Sequence, residues 1–337
     1  MEKNQINTLK TLLSTPKKIV IIPHKNPDGD AIGSCLGLYH YLKQYGHKLS
    51  IVAPNDYPDF LKWMPGEDNI LKYEYQTETA TRKIKEAEII FTLDFNSLSR
   101  IDDVATVLES FEGDYVMIDH HQAPDGYARF TYSDTSMSST CEMVYNFIAF
   151  MGDTDKISKE IATCLYTGIM TDTGSFRFPS TTSATHRIAA ELIDKGAENT
   201  QIHNAIFDSN SVEKLHLLGC ALKNLVELPD YHTVYIALSK EELEQFNYKK
   251  GDTEGFVNYG LSLKGVIFAV IFIESAQDDI IKISLRSKGD FSVNEFARKH
   301  FNGGGHINAA GGRSEFSLEE TTQRFEQLVK EYKDQLS

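Results

Sequence analysis

Three runs of apolar residues each stop at acidic or imidazole side chains that could bind a metal. His24 follows KKIVIIP, Asp94 follows EIIFTL, and Asp119, His120 and His121 follow YVMI. Each run is rich in β-branched residues and is typical of a buried strand. Because an unpaired polar group costs free energy when it is buried, a shared site at the strand ends explains all three runs together.

The candidate metal ligands come from several segments of the chain. His24, Asp28 and Asp30 have the spacing H-x-x-x-D-x-D, in a loop that follows a strand and opens a helix. Oxygen and nitrogen ligands suit manganese, magnesium, iron or cobalt better than a thiolate-type zinc site. If one aspartate bridges, the set can hold two metals, which activate water and clamp a phosphoryl group. The predicted metal ligands are His24, Asp28, Asp30, Asp94, His120 and Asp172.

Each of these residues has a simpler interpretation when it is taken singly. Asp28 and Asp30 precede a helix and could cap it, and a histidine at a strand end is often only hydrogen-bonded. Caps do not explain polar residues at three successive strand ends, so the joint pattern favours a metal site. Asp119 could orient a ligand imidazole, and His121 could contact a substrate phosphate or protonate the leaving oxygen. Structural hydrogen bonding explains Asp119 and His121 nearly as well.

Strands and helices alternate around the candidate ligands. A helix is predicted over 31–45 and another over 79–87, each between buried strands. This alternation predicts an α/β fold with a doubly wound, mainly parallel sheet, in which ligands gather outside the carboxyl ends of the strands. Residues 138–142, SSTCE, are typical of a capping box that opens a further helix.

The order of predicted strands and helices changes after Pro229. HTVYIALS, VIFAVIFIES and DIIKISLRS are typical of strands, and DTEGFVNYGLSL and NEFARKHF are typical of helices. This order predicts a smaller α+β domain. We therefore expect a metal-binding domain over 1–210, a helical linker over 211–229 and a substrate-binding domain over 230–337.

A glycine-rich stretch, NGGGHINAAGG over 302–312, follows a helix and lacks the Walker lysine, so neither nucleotide-binding fingerprint applies. Its glycines would let backbone N–H groups approach an anion, and a helix starting at Ala309 and Ala310 would add its dipole. A glycine-rich turn is the simpler interpretation, but a metal site elsewhere in the chain favours substrate binding. The predicted substrate-binding residues are Arg286, Gly303, Gly304, Gly305 and His306.

Composition narrows the class of protein. The chain has 337 residues, 41% of them hydrophobic and 24% charged, which is typical of a globular protein with two domains. It shows no bilayer-spanning run and no signal peptide, so we expect a cytoplasmic protein. Its scattered cysteines form no C-x-x-C pair, which disfavours a zinc or redox motif. The net charge of -14 disfavours binding of long nucleic acid, but not of a short anionic substrate.

Five motifs, in the expected order, resemble those of the DHH phosphoesterase superfamily. HKNPDGDAIGS resembles the first motif, LDF the second, DHH the third and TDTG the fourth. NGGGHINAAGG resembles the glycine-rich motif of the DHH-associated C-terminal domain. The resemblance covers essentially the whole chain. Within the superfamily, the chain is most similar to the bacterial bifunctional oligoribonuclease and 3′-phosphoadenosine 5′-phosphate phosphatase (nanoRNase) group.

The resemblance implies two divalent metal ions, with Mn²⁺ the expected species. By position, His24, Asp28 and Asp94 would hold one ion. The other would be held by Asp30, Asp94, His120 and Asp172, so that Asp94 bridges. The second domain would bind the substrate through the glycine loop, Arg286 and His306. We assign the catalytic chemistry to Asp94, His120 and His121.

We therefore predict a metal-dependent hydrolase of very short RNAs and of 3′-phosphoadenosine 5′-phosphate, with a cleft between the domains that closes over the substrate. Two alternatives within the superfamily are a cyclic dinucleotide phosphodiesterase and a pyrophosphatase or exopolyphosphatase. A third alternative is a nucleotide-binding regulator without turnover. We expect no long duplex nucleic acid and no membrane as partner. Apolar surface on the helices after Ser138 could support a homodimer.

Overall fold

The computed structural model describes residues 1–275 and 279–336. The chain divides into two units, Met1–Ser209 and Asn210–Ser337. Within the described residues, no helix combines the length and the apolar character needed to cross a membrane.

The first unit is built on a six-stranded sheet in which every neighbouring pair of strands is parallel. Side chains alternate between its two faces. Ile19 and Ile21 enter one apolar core, and Val20 and Ile22 enter a second core on the opposite face. The strands are β1 (Lys18–Pro23), β2 (Lys48–Ala53), β3 (Ile70–Lys72), β4 (Ile89–Leu93), β5 (Asp114–Asp119) and β6 (Phe130–Ser133).

Helices cover both faces of this sheet, as the predicted doubly wound α/β fold requires. Ala80 and Ile84 pack in one core, and Cys141 and Leu165 pack in the other. The predicted fold class is confirmed. The helices of this unit are α1 (Lys3–Leu13), α2 (Gly29–Lys43), α3 (Tyr73–Lys85), α4 (Val104–Leu108), α5 (Thr140–Met151), α6 (Lys159–Asp172), α7 (Ser183–Asp194) and α8 (Asn199–Phe207).

The strand order β3-β2-β1-β4-β5-β6 creates a topological switch point between β1 and β4. The chain adds β2 and β3 on one side of β1 and then returns to add β4 on the other side. In open α/β sheets the crevice at such a point is where ligands bind. His24 directly follows β1, Asp94 directly follows β4, and Asp119 ends β5 with His120 next.

The second unit contains another six-stranded sheet, in the order β11-β12-β10-β9-β8-β7. Only β8 and β9 pair in parallel among its described strands. This mixed sheet confirms the predicted α+β architecture of the C-terminal part. The strands are β7 (Leu225–Leu228), β8 (Thr233–Leu238), β9 (Phe268–Glu274), β10 (Ile281–Ser287), β11 (Gly304–Gly305) and β12 (Ala309–Ser314).

Two apolar cores cover the faces of the second sheet. Leu285 packs in a core with Phe296 and Phe325, whereas Val234 packs in a separate core with Leu217. Helices therefore lie on both faces. They are α9 (Val212–Lys223), α10 (Lys240–Gln245), α11 (Phe256–Leu261), α12 (Val293–His300) and α13 (Leu318–Lys330).

The helix predicted over 211–229 is wrong beyond Lys223. Helix α9 ends there, and Leu225–Leu228 forms β7, which pairs antiparallel with β8. Asn224 stands between the two elements and donates its side-chain N–H to the carbonyl of Ala237, 3.0 Å away. Pairing with β8 therefore overrides the helical pattern of this segment.

The helix predicted to start at Ala309 is also wrong, because Ala309–Ser314 is strand β12. Its neighbours are β10, where Arg286 pairs with Ala309, and β11, where Gly305 pairs with Ala310. A Cβ at Gly305, whose φ is 146°, would lie 2.5 Å from the Ala309 carbonyl oxygen. Glycine here permits the close approach of two strands, and no helix dipole contributes at this position.

Candidate metal centre

Glycines on α2 and α6 let these two helices approach closely. A Cβ at Gly33 would lie 2.6 Å from the carbonyl oxygen of Cys164, and a Cβ at Gly168 would lie 2.9 Å from Oδ1 of Asp30. Only glycine fits at such distances. The approach brings Asp30, in the first turn of α2, and Asp172, the last residue of α6, to within 4 Å of the same histidine nitrogen.

The first group of candidate ligands is His24, Asp28 and Asp94, whose ligand atoms lie within 4.8 Å of one another. Nδ1 of His24 is 2.8 Å from the carbonyl oxygen of Lys25, so Nδ1–H donates and Nε2 carries the lone pair. Nε2 lies 3.4 Å from Oδ2 of Asp94. Asp28 is also the N-cap of α2, with Oδ1 accepting from two backbone N–H groups. The capping and ligand interpretations of Asp28 are thus compatible.

The second group is Asp30, His120 and Asp172, again with ligand atoms within 4.8 Å of one another. Nδ1 of His120 is 3.2 Å from the carbonyl oxygen of Met137, which selects the tautomer with the lone pair on Nε2. That Nε2 lies 3.5 Å from Oδ2 of Asp172 and 3.8 Å from Oδ2 of Asp30. Metal-binding histidines usually donate the N–H of the other ring nitrogen to a backbone carbonyl or a carboxylate, which fixes the orientation of the ring.

Asp94 lies between the two groups. Its Oδ2 faces Nε2 of His24 at 3.4 Å, and its Oδ1 faces Nε2 of His120 at 3.5 Å. The residue is 2% exposed and has a positive φ of 65°, a conformation that is uncommon outside glycine. One carboxylate thus presents a separate oxygen to each histidine, as a residue that bridges two metals must.

Electrostatics show that this cluster lacks positive charge. Burial, followed by the charges of Asp94 and Asp172, raises the pKa of Asp30 well above its usual range. Burial lowers the pKa of His120, but Asp94, Asp172 and Asp30 together outweigh burial and raise the pKa well above 6.5. Burial raises the pKa of Asp94, yet His120 and His24 hold it well below its usual range. Carboxylates this close together repel one another unless a positive charge lies between them, so these residues fit divalent metals.

Asp119 orients His121. It is fully buried, and its Oδ1 lies 2.7 Å from Nδ1 of His121 while its Oδ2 accepts from the backbone N–H of the same residue at 2.9 Å. The candidate ligand His120 is instead held by the backbone carbonyl of Met137. Nδ1 of His121 is also 3.7 Å from Oδ1 of Asp94, which places this second histidine at the edge of the cluster.

Comparison with known proteins shows the family of this chain. Residues 18–169 match the family model described as DHH family, N-terminal domain, and residues 230–337 match the DHHA1 domain. The bifunctional oligoribonuclease and PAP phosphatase NrnA of Thermus thermophilus is 32% identical over 93% of this chain and 89% of its own length. The chain belongs to the DHH family.

Two further relatives extend the comparison. The crystal structure of an exopolyphosphatase-related protein from Bacteroides fragilis is 44% identical, with a TM-score of 0.95 over 99% of this chain and 98% of that one. The cyclic-di-AMP phosphodiesterase GdpP of Geobacillus thermodenitrificans is 26% identical over 97% of this chain, which spans 49% of that protein. Within the DHH family, this chain is a hydrolase that acts on phosphoester bonds.

The DHHA1 domain gathers the predicted substrate-binding residues on adjacent strands. Arg286 of β10 is paired with Ala309 of β12, which in turn neighbours the glycines of β11. His306 begins the tight turn between β11 and β12, and its backbone N–H donates to the carbonyl of Ala309 at 2.7 Å. Gly303 lies against Gly311, where a Cβ would overlap the backbone. Substrate binding by these residues stays a prediction.

Two polar residues near the cluster were not predicted from the sequence. Asn96 is 4% exposed and donates to the backbone carbonyls of His121 and Gln122, at 3.0 and 3.1 Å, which fixes the loop after the DHH motif. Thr140 donates its hydroxyl to Oδ1 of Asp94 at 3.0 Å. The helix start near Thr140 is visible in the sequence, but its contact with a strand end is not.

Only one of the two hydrogen bonds of the capping box predicted over 138–142 forms. Ser139 is the N-cap of α5, and its Oγ accepts from the backbone N–H of Glu142 at 3.0 Å. The reciprocal bond goes elsewhere, because the carboxylate of Glu142 accepts from the hydroxyl and the backbone N–H of Ser138. Glu142 is 3% exposed, so its partners serve a buried network.

Proposed function

We propose that this chain hydrolyses very short RNAs and 3′-phosphoadenosine 5′-phosphate by two-metal activation of water. The observation that carries the proposal is the position of Asp94, whose two carboxylate oxygens face His24 and His120 separately. The similarity to the Thermus thermophilus relative, whose name gives both activities, supports the choice of substrates.

His24, Asp28 and Asp94 would hold one metal, and Asp30, Asp94, His120 and Asp172 would hold the other. We propose Mn²⁺ for both sites, because carboxylate and imidazole ligands without thiolate suit it. When bound, two such ions about 3.5–4 Å apart generate a hydroxide and stabilise the attacked phosphoryl group. The Nδ1–H bonds from His24 and His120 to backbone carbonyls would leave each Nε2 lone pair available to a metal ion.

His121 is proposed to donate a proton to the leaving oxygen. Its Nδ1–H is held by Oδ1 of the fully buried Asp119, so an ionised carboxylate stabilises the imidazolium that a general acid requires. Asn96 fixes the backbone of the same loop. These contacts give His121 one orientation relative to the metal ligands.

The DHHA1 domain is proposed to bind the rest of the substrate. Arg286 can bind phosphate through two guanidinium N–H groups. His306 and the glycines of β11 would add donors near Arg286, because β11 pairs with β12 and β12 pairs with the Arg286 strand β10. A short substrate satisfies few such contacts, which is consistent with a net charge of -14 that disfavours long nucleic acid.

A cyclic dinucleotide phosphodiesterase is the second candidate, and the similarity to the Geobacillus thermodenitrificans protein favours it. The similarity to the exopolyphosphatase-related protein of Bacteroides fragilis supports a third candidate, exopolyphosphatase activity. All three candidate activities would use the same metal chemistry. They would differ in the part of the substrate that the DHHA1 domain binds.

Location and assembly are also proposals. A cytoplasmic location suits an enzyme that acts on short RNA, since RNA is made and degraded there. A homodimer stays a prediction, which light scattering on the purified full chain tests directly.

A panel of substrates tests the proposal. Purified chain with Mn²⁺ is given pApA, a five-nucleotide RNA, 3′-phosphoadenosine 5′-phosphate, cyclic di-AMP and pyrophosphate. The controls are Asp94→Ala and Asp59→Ala, a surface substitution at a side chain that is 79% exposed. We expect turnover of pApA and of the bisphosphate, abolished only by Asp94→Ala. Preferred turnover of cyclic di-AMP or pyrophosphate would replace the proposed substrates.

A further inference from the structure

The N-terminus of α5 contacts two of the candidate metal ligands. Backbone N–H groups of Thr140 and Cys141 donate to Oδ2 and Oδ1 of Asp30, at 2.6 and 2.8 Å. The hydroxyl of Thr140 donates to Oδ1 of Asp94 at 3.0 Å. Thr140 is fully buried. One residue therefore bonds a carboxylate from each of two other segments of the first unit.

These contacts are not what a threonine in a helix does by default. Inside a helix a threonine hydroxyl usually bonds the carbonyl one turn earlier, as Thr167 does with Thr163, but Thr140 is the first residue of α5 and no helical turn precedes it. Thr140 instead donates to a side chain 46 residues away in sequence. A carboxylate that accepts bonds on defined lone pairs cannot rotate freely, whereas its terminal torsion is otherwise broad.

A buried network keeps Thr140 in place. Ser139 caps the helix through the backbone N–H of Glu142. The Glu142 carboxylate accepts from the hydroxyls of Ser138 and Thr185, the latter at 3.0 Å on α7. All these residues are at most 3% exposed. These bonds fix the start of α5 from two sides. They thereby fix the direction of the Thr140 hydroxyl.

We propose that Thr140 is a positioning residue that sets the bridging orientation of Asp94. Its hydroxyl occupies one lone pair of Oδ1, which turns the remaining lone pair toward the His120 group and leaves Oδ2 toward His24. This inference rests on the proposed metal function. It concerns metal affinity, because loss of an outer-shell partner typically lowers metal affinity 10–100-fold.

The test compares three chains without added substrate. Thr140→Val removes the hydroxyl and keeps both the size and the backbone N–H that Asp30 uses, whereas Thr140→Ser keeps the hydroxyl. Mn²⁺ is titrated into each metal-free protein by calorimetry. We expect Mn²⁺ affinity to fall about 10-fold or more for Thr140→Val and less than threefold for Thr140→Ser. Equal affinities in the two variants overturn the proposal.

Two further measurements separate this inference from its alternatives. Urea unfolding of the metal-free proteins shows whether each variant folds, and Thr140→Ala replaces Thr140→Val if the valine chain does not. A native chain that binds no Mn²⁺ would overturn both the metal centre and this inference. A native chain that binds Mn²⁺ but cleaves no nucleotide would overturn the proposed function alone, and the affinity ratio would still decide the role of Thr140.

Discussion

Asp119 binds His121 twice, through the backbone N–H at 2.9 Å and through Nδ1 of the ring at 2.7 Å. The side chain of Asp119 is fully buried, so both bonds form away from solvent. The pair fixes the ring at the edge of the candidate ligand cluster with Nδ1 as its donor. It gives the third residue of the DHH motif a defined tautomer.

Asp119→Asn is expected to lower kcat and to leave Mn²⁺ binding nearly unchanged. The amide cannot accept both bonds, so the ring loses its orientation and its imidazolium loses a counter-charge. General acid catalysis typically contributes 10²–10⁴-fold, and we expect a fall of about 100-fold in steady-state turnover of pApA. His121→Gln is the matched variant and should lose a similar factor. An Mn²⁺ affinity that falls as much as kcat would show instead that the pair maintains the metal centre.

Gly168→Ala is expected to damage both stability and metal binding. Its Cβ would overlap the Cys141 thiol and lie 2.9 Å from Oδ1 of Asp30. Overpacking of this kind typically costs about 1–3 kcal/mol, measurable by urea unfolding, and displacement of Asp30 should weaken Mn²⁺ binding.

Gly219→Ala is the control for that substitution. Gly219 lies inside α9, and a Cβ there would meet nothing within 4 Å. Alanine should therefore stabilise the chain by up to about 1 kcal/mol through helix propensity alone. Equal effects of the two alanines would contradict the close α2–α6 approach.

His47 is expected to make stability depend on pH. It is 8% exposed, and its Nδ1 accepts the backbone N–H of Lys17 at 3.1 Å. Burial, and then the charge of Lys17, lower its pKa below 6.5. The unfolded chain therefore takes up this proton first as the pH falls, and the free energy of unfolding should decrease below about pH 6.5.

His47→Asn isolates this contribution, because asparagine can accept the same bond and does not titrate. Urea unfolding at pH 7.5 and pH 5.5 should show a smaller loss of stability in the variant than in the native chain. Parallel curves would contradict the assignment.

Arg286→Ala is expected to raise KM for pApA at least about 10-fold, because a charged hydrogen bond to phosphate is lost. Arg286→Lys should recover only part of the loss, since lysine cannot form the two-pronged contact. Calorimetry should give an unchanged Mn²⁺ affinity in both variants. A KM equal to that of the native chain would remove Arg286 from the substrate site.

Three of the candidate metal ligands, His24, Asp94 and His120, could be located from the sequence because they follow the continuous apolar runs of β1, β4 and β5. That they bind metal stays a prediction. The apolar runs of β1, β4 and β5 predict strands clearly. Parallel strands in one sheet bring their carboxyl ends together. The alternation of these strands with helices also predicted the α/β fold. Which histidine Asp119 contacts was not predictable, because the backbone turns directly after β5.

The errors lie where a segment becomes a strand through pairing rather than through its own composition. Ala309–Ser314, AAGGRS, has little strand propensity, and it becomes a strand through pairing with β10. Leu225–Leu228 continues a helical pattern but pairs with β8. The Thr140 hydroxyl meets Asp94 across 46 residues. The residue types within each of these segments do not reveal which distant or neighbouring residue the segment contacts.

The most direct test is the number of Mn²⁺ ions bound per chain, measured together with turnover of pApA. If Asp94 bridges two ions, the native chain binds two and hydrolyses pApA. Asp94→Asn, which keeps the shape but loses the charge shared by both sites, should retain at most one weakly bound ion and lose turnover by at least about 100-fold. Full turnover by a native chain with one ion, or by Asp94→Asn, would contradict the bridged two-metal centre.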